Sequence, residues 1–460
     1  MSRASSESTA ILRRMFEKIL VANRGEVGAR VARTCRRIGA DTVALCVPGE
    51  EEAVHTQACD AVAKLTQADG EDAYRSVENI VRAAIESGCQ AVHPGYGLLE
   101  GNTTLARELE KRGIRWIGPA PELVVLARDR AALRGAALEA GLRVLAGSTD
   151  AHTDAKEIRE EIAALGFPLV VKPAFALGEN ETLTLLEDDE GVDAWEASRK
   201  GHEEVAIVLE RYVERARHVE VILVGDGTDI AVIGEVETSA RKDHRRVISE
   251  SPAPAIDSLH RGDAARSALW AGAYDLASYL SLRGVASVQF LFDGMGRFHF
   301  VGITLGLTPE HALVEMCTGL DLVEVECLLA LGESLPRSVV TSQPTGHAVQ
   351  GRIDAAIDPR DGRPFAGRCE EVRWPPAPTG KVRIETGIQA RSRVESHHDA
   401  LVASVSTYAP TRHEAVLVLD RIIAETRIGP LVTSLRLLRR ALNLESFRAL
   451  QIDEGTLDRT

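Results

Sequence analysis

Long apolar runs are absent from this 460-residue chain. None approaches the about 18 consecutive apolar residues of a membrane-spanning helix, which excludes a helical membrane protein. Aromatic residues are scarce at 4%, so a core has to be assembled from aliphatic side chains rather than stacked rings. A basic surplus is also missing: the formal charge of -14 argues against a nucleic-acid partner, because a phosphate backbone is held by a basic face. The seven cysteines (Cys35, Cys46, Cys59, Cys89, Cys317, Cys327 and Cys369) are odd in number and include no C-x-x-C pair, which fits reduced thiols in the cytoplasm. The opening "MSRASSESTAILRRM" has Ser and Arg but no apolar core like that of a secretory signal, and residues 1–15 read as a disordered leader.

What is present is a globular balance of 45% hydrophobic and 27% charged residues, in a length that exceeds one hydrophobic core. "KILVANRG" reads as a buried strand, and "GEVGARVARTCRRIG" places Val27, Val31, Cys35 and Ile38 at helical spacing before the strand "DTVALCVP". The alternation continues through "SVENIVRAAIESG", "CQAVHPGYG", a helix capped by Asn102 and "IRWIGP", which predicts a parallel α/β unit. "DRAALRGAALEAGL" reads as a connecting helix. "PLVVKPA", "ETLTLLED" and "VAIVLERYV" read as strands between the helices "AKEIREEIAAL" and "GVDAWEASRKG". Runs such as "HVEVILVGDG" and "ASVQFLFDGMGRFHFVGI" then predict a large antiparallel sheet, closed by C-terminal helices. "PPAPTG" reads as a surface turn. The expected fold class is α/β with α+β. The expected division is leader 1–15, N-terminal α/β domain 16–125, helical connector 126–143, lid 144–215 and C-terminal domain 216–460.

Eight stretches, "KILVANRGEVGARV", "AVHPGYGLLEGN", "WIGPAPE", "PLVVKP", "VLERYVERARHVEV", "ESPAPAI", "PEHALVEMCTGLDL" and "GHAVQGRI", follow one another in the order and at about the spacing they have in biotin carboxylase. That enzyme is the ATP-grasp component of acetyl-CoA carboxylase and related biotin-dependent carboxylases. The chain resembles this family from about residue 16 to about 453, as a divergent member. The resemblance implies a three-part ATP-grasp fold, with an N-terminal parallel domain, a small lid and a C-terminal antiparallel-sheet domain. It also implies MgATP and bicarbonate as substrates, carboxyphosphate as an intermediate, and dimers. The carrier's Met-Lys-Met biotinylation motif is absent from the sequence, so biotin is expected only on a separate carrier protein.

The resemblance also assigns site positions, and several have changed. Glu310 stands where the family has its proposed bicarbonate base, Arg352 where it has the arginine proposed to stabilise the biotin enolate, and Arg246 in place of a bicarbonate-contacting lysine. Lys172 matches a phosphate-contacting lysine, and Arg130 replaces a second one. Glu210, Arg211 and Val213 match the adenine hinge, His218 and His244 match nucleotide-side histidines, Arg241 replaces a glutamine, and Leu291 is a further nucleotide-side position. The metal ligands of the family, two glutamates and an asparagine, correspond to Gln289, Gly302 and Thr304, which supply no negative charge for a hard dication. Gly306, Thr308 and Pro309 replace Arg, Gln and Val. The phosphate-covering loop reads "PAFALGENE", where Pro173 lacks an N–H, Phe175 and Leu177 are bulky, and Glu179 and Glu181 repel phosphate.

Each residue also has a plainer reading. Glu310 and His311 are placed to cap the helix "ALVEMCTGL". Arg352 serves equally as a structural ion-pair partner, and His218 and His244 as hydrogen-bonded structural histidines. The function expected from these residues is a non-catalytic member of a biotin-dependent acyl-CoA carboxylase assembly. Such a protein would act as a homodimer or as a heterodimer with an active biotin carboxylase paralogue, with a biotin carboxyl carrier protein or carboxyltransferase as further partners, and with neither nucleic acid nor membrane. No magnesium is expected, and ATP is allowed. Two alternatives stay open. One is an active carboxylase or altered ATP-grasp ligase that recruits metal through Glu235 or Glu237, and the other is an adenine-nucleotide-sensing module.

Overall fold

The structure is a computed structural model that describes residues 16–65, 71–176, 183–243, 245–293, 295–357, 363–395, 399–453 and 455–459. The leader 1–15, the residues Leu177, Glu179 and Glu181 of the phosphate-covering loop, and His244 lie outside the described residues.

The N-terminal unit is a parallel five-stranded sheet in the order β3-β2-β1-β4-β5, with β1 Lys18–Val21, β2 Asp41–Cys46, β3 Ala61–Lys64, β4 Ala91–His93 and β5 Arg115–Trp116. The apolar runs of β1 and β4 are buried on both faces, as strands covered by helices on either side must be. The helix Gly25–Ile38 begins directly after β1 and buries Val27, Val31, Cys35 and Ile38, the stripe expected from its spacing. Asn102 accepts from the Leu105 N–H at 2.9 Å and caps the helix Thr103–Glu110. The short edge strand β3 was not anticipated. Its side chains are largely exposed, so it carries no alternating apolar signature.

The helix Arg130–Glu139, capped by Asp129, leads into a small antiparallel sheet of β6 Leu169–Pro173, β7 Thr184–Leu186 and β8 Ile207–Arg211, in the order β7-β6-β8. Ile158 and Ile162 of one helix and Val192 and Trp195 of another close its core.

The third sheet has eight antiparallel strands in the order β13-β12-β9-β10-β11-β14-β19-β17. These are β9 Arg217–Asp226, β10 Ile230–Lys242, β11 Arg245–Ser251, β12 Arg283–Phe292, β13 Phe298–Leu305, β14 His347–Asp354, β17 Val382–Thr386 and β19 Leu401–Ala409. Two short ladders flank it: β15 Gly367–Arg368 with β18 Arg393–Val394, and β16 Glu371–Arg373 with β20 Arg427–Gly429. The helix Gly262–Tyr279 contributes to a core with Val219, Val221 and Leu223, while Ile222 and Val224 join a core with Leu313 and Val314. That second core also takes in Ile19, Val31 and Cys35 of the N-terminal unit, so one continuous apolar layer ties the first sheet to the third. Beneath it Arg30 binds Glu315 at 3.0 Å and Asp321 at 3.0 Å, and Arg383 joins the same cluster through Glu315 and Glu385. "PPAPTG" is a largely exposed loop.

Candidate functional site

Antiparallel register brings the expected metal positions together. Gly302 on β13 pairs with Gln289 on β12, and Gln289 pairs in turn with Glu220 on β9. Two residues along β13, Thr304 lies on the same face, because side chains alternate with a period of two. The consequence is a hydrogen bond from Gln289 Nε2 to Thr304 Oγ1 at 2.9 Å. The amide and hydroxyl satisfy each other across the place where the resemblance expects two carboxylates and an asparagine.

The nearest carboxylate in this register is Glu220, which sequence reasoning missed, although its spacing of two from His218 in "RHVEV" puts both on one face of β9. Glu220 is fully buried and already engaged by Arg246 and by the Ser287 hydroxyl. Magnesium requires an octahedron of oxygens, preferably anionic. An amide turned toward a hydroxyl, a glycine and a carboxylate held by a guanidinium do not make that set, so the residues present do not fit the ion. Glu235 and Glu237 do not replace it. Glu235 accepts from Arg266 Nε at 2.7 Å and Trp270 Nε1 at 2.8 Å, and Glu237 accepts from Arg217 Nε and from the Ala255 N–H at 2.6 Å. Both anchor the segment Ala253–Tyr279 and its neighbours, which is the role their hydrogen bonds give them.

Glu310, Arg352 and Arg246 do converge. Arg352 donates from Nε at 2.9 Å and Nη2 at 2.6 Å to Glu310 Oε1, and Arg246 Nη1 lies 3.1 Å from Oε2. Burial alone would raise the carboxyl pKa, but the two guanidinium groups overcome it and hold Glu310 at about 2. It is therefore ionised, with Oε1 bonded to Arg352 and Oε2 in an ion pair with Arg246, whereas a general base works best with a pKa near the operating pH. Glu310 does sit at the start of the helix His311–Thr318, yet its side chain makes no capping hydrogen bond. The cap reading is corrected: the attraction of two adjacent cations outweighs what a helix terminus offers. His311 instead joins the Arg30–Arg383–Glu315 cluster, with Arg30 Nε at 3.2 Å and Arg383 Nη2 at 2.9 Å from its Nε2.

The nucleotide-side positions divide. Lys172, at the end of β6, pairs with Glu210 of β8, and Arg130 Nε donates to the Pro173 carbonyl at 3.0 Å, so these three meet at the mouth of the small sheet. Arg211 faces elsewhere. Its Nη1 donates to the carbonyls of Leu165, Gly166 and Phe167 at 3.1, 2.8 and 2.8 Å, closing the end of the helix Ala155–Leu165. Val213 and Leu291 are half-buried, and Leu291 is directly opposite His218 in register. His218 is buried, and its pKa is driven well below the ordinary value by burial and by Arg241, Arg246 and Lys172, so the ring is neutral. A cleft of about 1070 Å³ lies above this layer, lined by Arg130, Glu210, Gln289, Gly302, Thr304 and Arg352 among others.

A parallel α/β unit, a small lid sheet and a large antiparallel sheet meeting at one cleft define a three-domain ATP-grasp protein. Residues 15–126 match the family model "Biotin carboxylase, N-terminal domain", residues 129–338 match "Carbamoyl-phosphate synthase L chain, ATP binding domain", and residues 350–459 match "Biotin carboxylase C-terminal domain". The chain is 31% identical over 440 residues to biotin carboxylase of Halalkalibacterium halodurans, covering 95% of this chain and 96% of that protein. It is 30% identical over 465 residues to the mitochondrial methylcrotonoyl-CoA carboxylase subunit alpha of Glycine max, covering 99% of this chain but only 62% of that subunit's length. Among solved structures, the biotin carboxylase domain dimer of Hydrogenobacter thermophilus 2-oxoglutarate carboxylase, with MgADP, ADP and bicarbonate, superimposes with a TM-score of 0.89 at 27% identity, covering 97% of this chain and 98% of that one. The chain belongs to the biotin carboxylase family.

Proposed function

We propose that this chain does not carry out ATP-dependent biotin carboxylation and serves as a non-catalytic partner in a biotin-dependent acyl-CoA carboxylase assembly. The observation that carries this reading is the hydrogen bond between Gln289 and Thr304 beside Gly302. Phosphoryl transfer depends on cations that bridge the phosphates and neutralise charge as it develops, and positions 289, 302 and 304 offer them no anionic oxygen. Glu310 supports the same reading, because both of its oxygens are taken up by arginines. The assembly is inferred from kinship: the relatives are carboxylase subunits, and one similar domain is a dimer. The partner we infer is a second copy of this chain or an active biotin carboxylase paralogue, with a biotin carrier protein or carboxyltransferase completing the assembly.

The test is phosphate release from ATP with magnesium, bicarbonate and free biotin, alongside native mass spectrometry after co-expression with an active biotin carboxylase. No biotin-stimulated release together with a mixed dimer is the expected result. Biotin-stimulated release would overturn the proposal and restore the reading of an active ligase.

A further inference from the structure

A second concavity lies on the N-terminal domain and shares no lining residue with the cleft. It is a groove of about 530 Å³ along the helix Val77–Glu86, bordered by Glu108 of the helix Thr103–Glu110 and by Arg112 just beyond it. Val77, Val81 and Ile85 recur every four residues, so they form one apolar stripe along the groove. Val81 is 6% exposed, but Ile85 at the end of the stripe is 53% exposed, which leaves apolar surface uncovered beside a concavity. The rim holds three carboxylates, Glu78, Glu86 and Glu108, against two guanidinium groups. Arg112 donates to Glu108 at 2.6 Å and Arg82 to Asn79 at 2.6 Å, whereas Glu78 and Glu86 have no ion-pair partner among the described residues.

The chain enters the first sheet at the end of this groove. Lys18, the first residue of β1, donates from its backbone N–H to Gln90 Oε1 at 2.7 Å and from Nζ to the Ser87 carbonyl at 3.2 Å. Ser87 directly follows Glu86, the last residue of the grooved helix. Immediately ahead of Phe16 the sequence reads "AILRRM", residues 10–15. At helical spacing Ile11, Leu12 and Met15 fall within about 100° of one another, with Arg13 and Arg14 to either side. Residues 1–15 carry Arg3, Arg13 and Arg14 against Glu7, a net charge of +2 in a chain of -14. The five residues from 11 to 15 span at most about 17 Å and the grooved helix is about 15 Å long, so Ile11 can reach the stripe from the point of entry. We propose that the groove is the docking site of the chain's own residues 10–15, with Ile11, Leu12 and Met15 against Val81 and Ile85, and Arg13 and Arg14 toward Glu78, Glu86 and Glu108. An amphipathic segment laid in an apolar groove is a recurring mode of recognition, and opposite charges at the rim set its register. The covalent tether holds the segment at an effective concentration on the order of mM, so a weak contact suffices. A second copy of the chain has no such advantage, which favours the chain's own segment. Once docked, the segment covers Ile85 and fixes the approach to β1.

The experiment is limited digestion of the full chain with trypsin, read by intact mass. The rate of cleavage after Arg13 and Arg14 is compared with that of a free synthetic peptide of residues 2–18. Docking is expected to slow cleavage by about tenfold or more, because the protease acts only on the released segment. Ile85→Glu, and separately Ile11→Glu, are each expected to bring the rate to within about threefold of the matching peptide's. Ile85 is exposed and Ile11 precedes the first strand, so thermal unfolding is expected to be unchanged in both. Glu78→Lys combined with Glu86→Lys is expected to accelerate cleavage as well, and added salt to do the same in the parent chain. Cleavage of the parent chain at the peptide's rate overturns the inference. Slow cleavage that Ile85→Glu leaves unchanged also overturns it, since the segment is then held elsewhere. Protection that disappears on dilution means that the groove takes the segment of a second copy, which overturns docking within one chain.

Discussion

Glu310 gives one carboxylate oxygen to two nitrogens of Arg352, at 2.9 and 2.6 Å, and turns the other toward Arg246 at 3.1 Å. All three side chains are largely or wholly withdrawn from solvent. A buried charge whose partner is removed is destabilising by about 3–5 kcal/mol. Arg352→Ala is therefore expected to cost about 3 kcal/mol, toward the low end because Arg246 remains. Chemical denaturation followed by circular dichroism measures this, and a loss of less than about 1 kcal/mol would show that the pair is not structural.

The same pair predicts acid behaviour. Two buried carboxyls, Glu310 and Glu250, are held at about 2 against an ordinary value of 4.5. In both, burial works the other way and is outweighed, for Glu310 by Arg246 and Arg352, and for Glu250 by His347 and Arg412. A folded pKa below the unfolded one means stability that is present above 4.5 and lost as pH falls toward 2. The melting temperature is expected to drop steeply over that window, and Glu310→Gln to drop less steeply from a lower starting point. Parallel curves for the two proteins would remove Glu310 from the account.

Restoring the metal ligands is a sharper test. Gly302 does not occupy the left-handed region, and a Cβ there meets only Gln289 Oε1 at 3.1 Å, the far end of a flexible side chain. The double variant Gln289→Glu, Gly302→Glu is expected to fold and to gain manganese binding, detected by electron paramagnetic resonance, that the parent chain lacks. A parent chain that binds manganese equally well would mean that other residues ligate it.

Gly306 cannot be reverted in the same way. Its φ is +87°, a conformation that L side chains enter at a cost of about 1–2 kcal/mol. Gly306→Arg is expected to lower stability by about that amount in denaturant titration and to leave ATP turnover absent.

The fold was legible because its long elements follow the rules of periodicity. Helix Gly25–Ile38 and the strands β9 and β12 carry the expected apolar patterns, whereas β3 does not, because it is an exposed edge. That positions 289 and 302 hold no carboxylate was readable from the sequence, and the register places these two residues side by side. What each survivor does was not. Arg211 closes a helix and Glu310 is enclosed by cations, and such outcomes are set by which neighbours the tertiary fold supplies. Glu220 and Glu26 stand in family-like stretches and were overlooked because their roles depend on the neighbours that the tertiary fold supplies.

Glu26 supplies the remaining prediction. It lines the cleft and is 4% exposed, with Oε1 accepting from the Tyr96 hydroxyl at 3.1 Å. Burial, followed by the neighbouring Glu385 carboxylate, pushes its pKa from 4.5 up to about 8; Asp399 adds to the rise, while the Tyr96 hydroxyl and Arg352 oppose it. A folded pKa above the unfolded one gives stability that is complete below 4.5 and is lost as pH rises through about 8, because the unfolded chain ionises freely while the folded chain resists. Glu26→Gln keeps an acceptor for Tyr96 and removes the ionisation. Its melting temperature relative to the parent is expected to climb in the variant's favour between pH 4.5 and about 8 and then to level off. A difference that stays constant across that range would mean that Glu26 is already ionised in the folded protein, and that the base of the cleft carries one more negative charge than its burial allows.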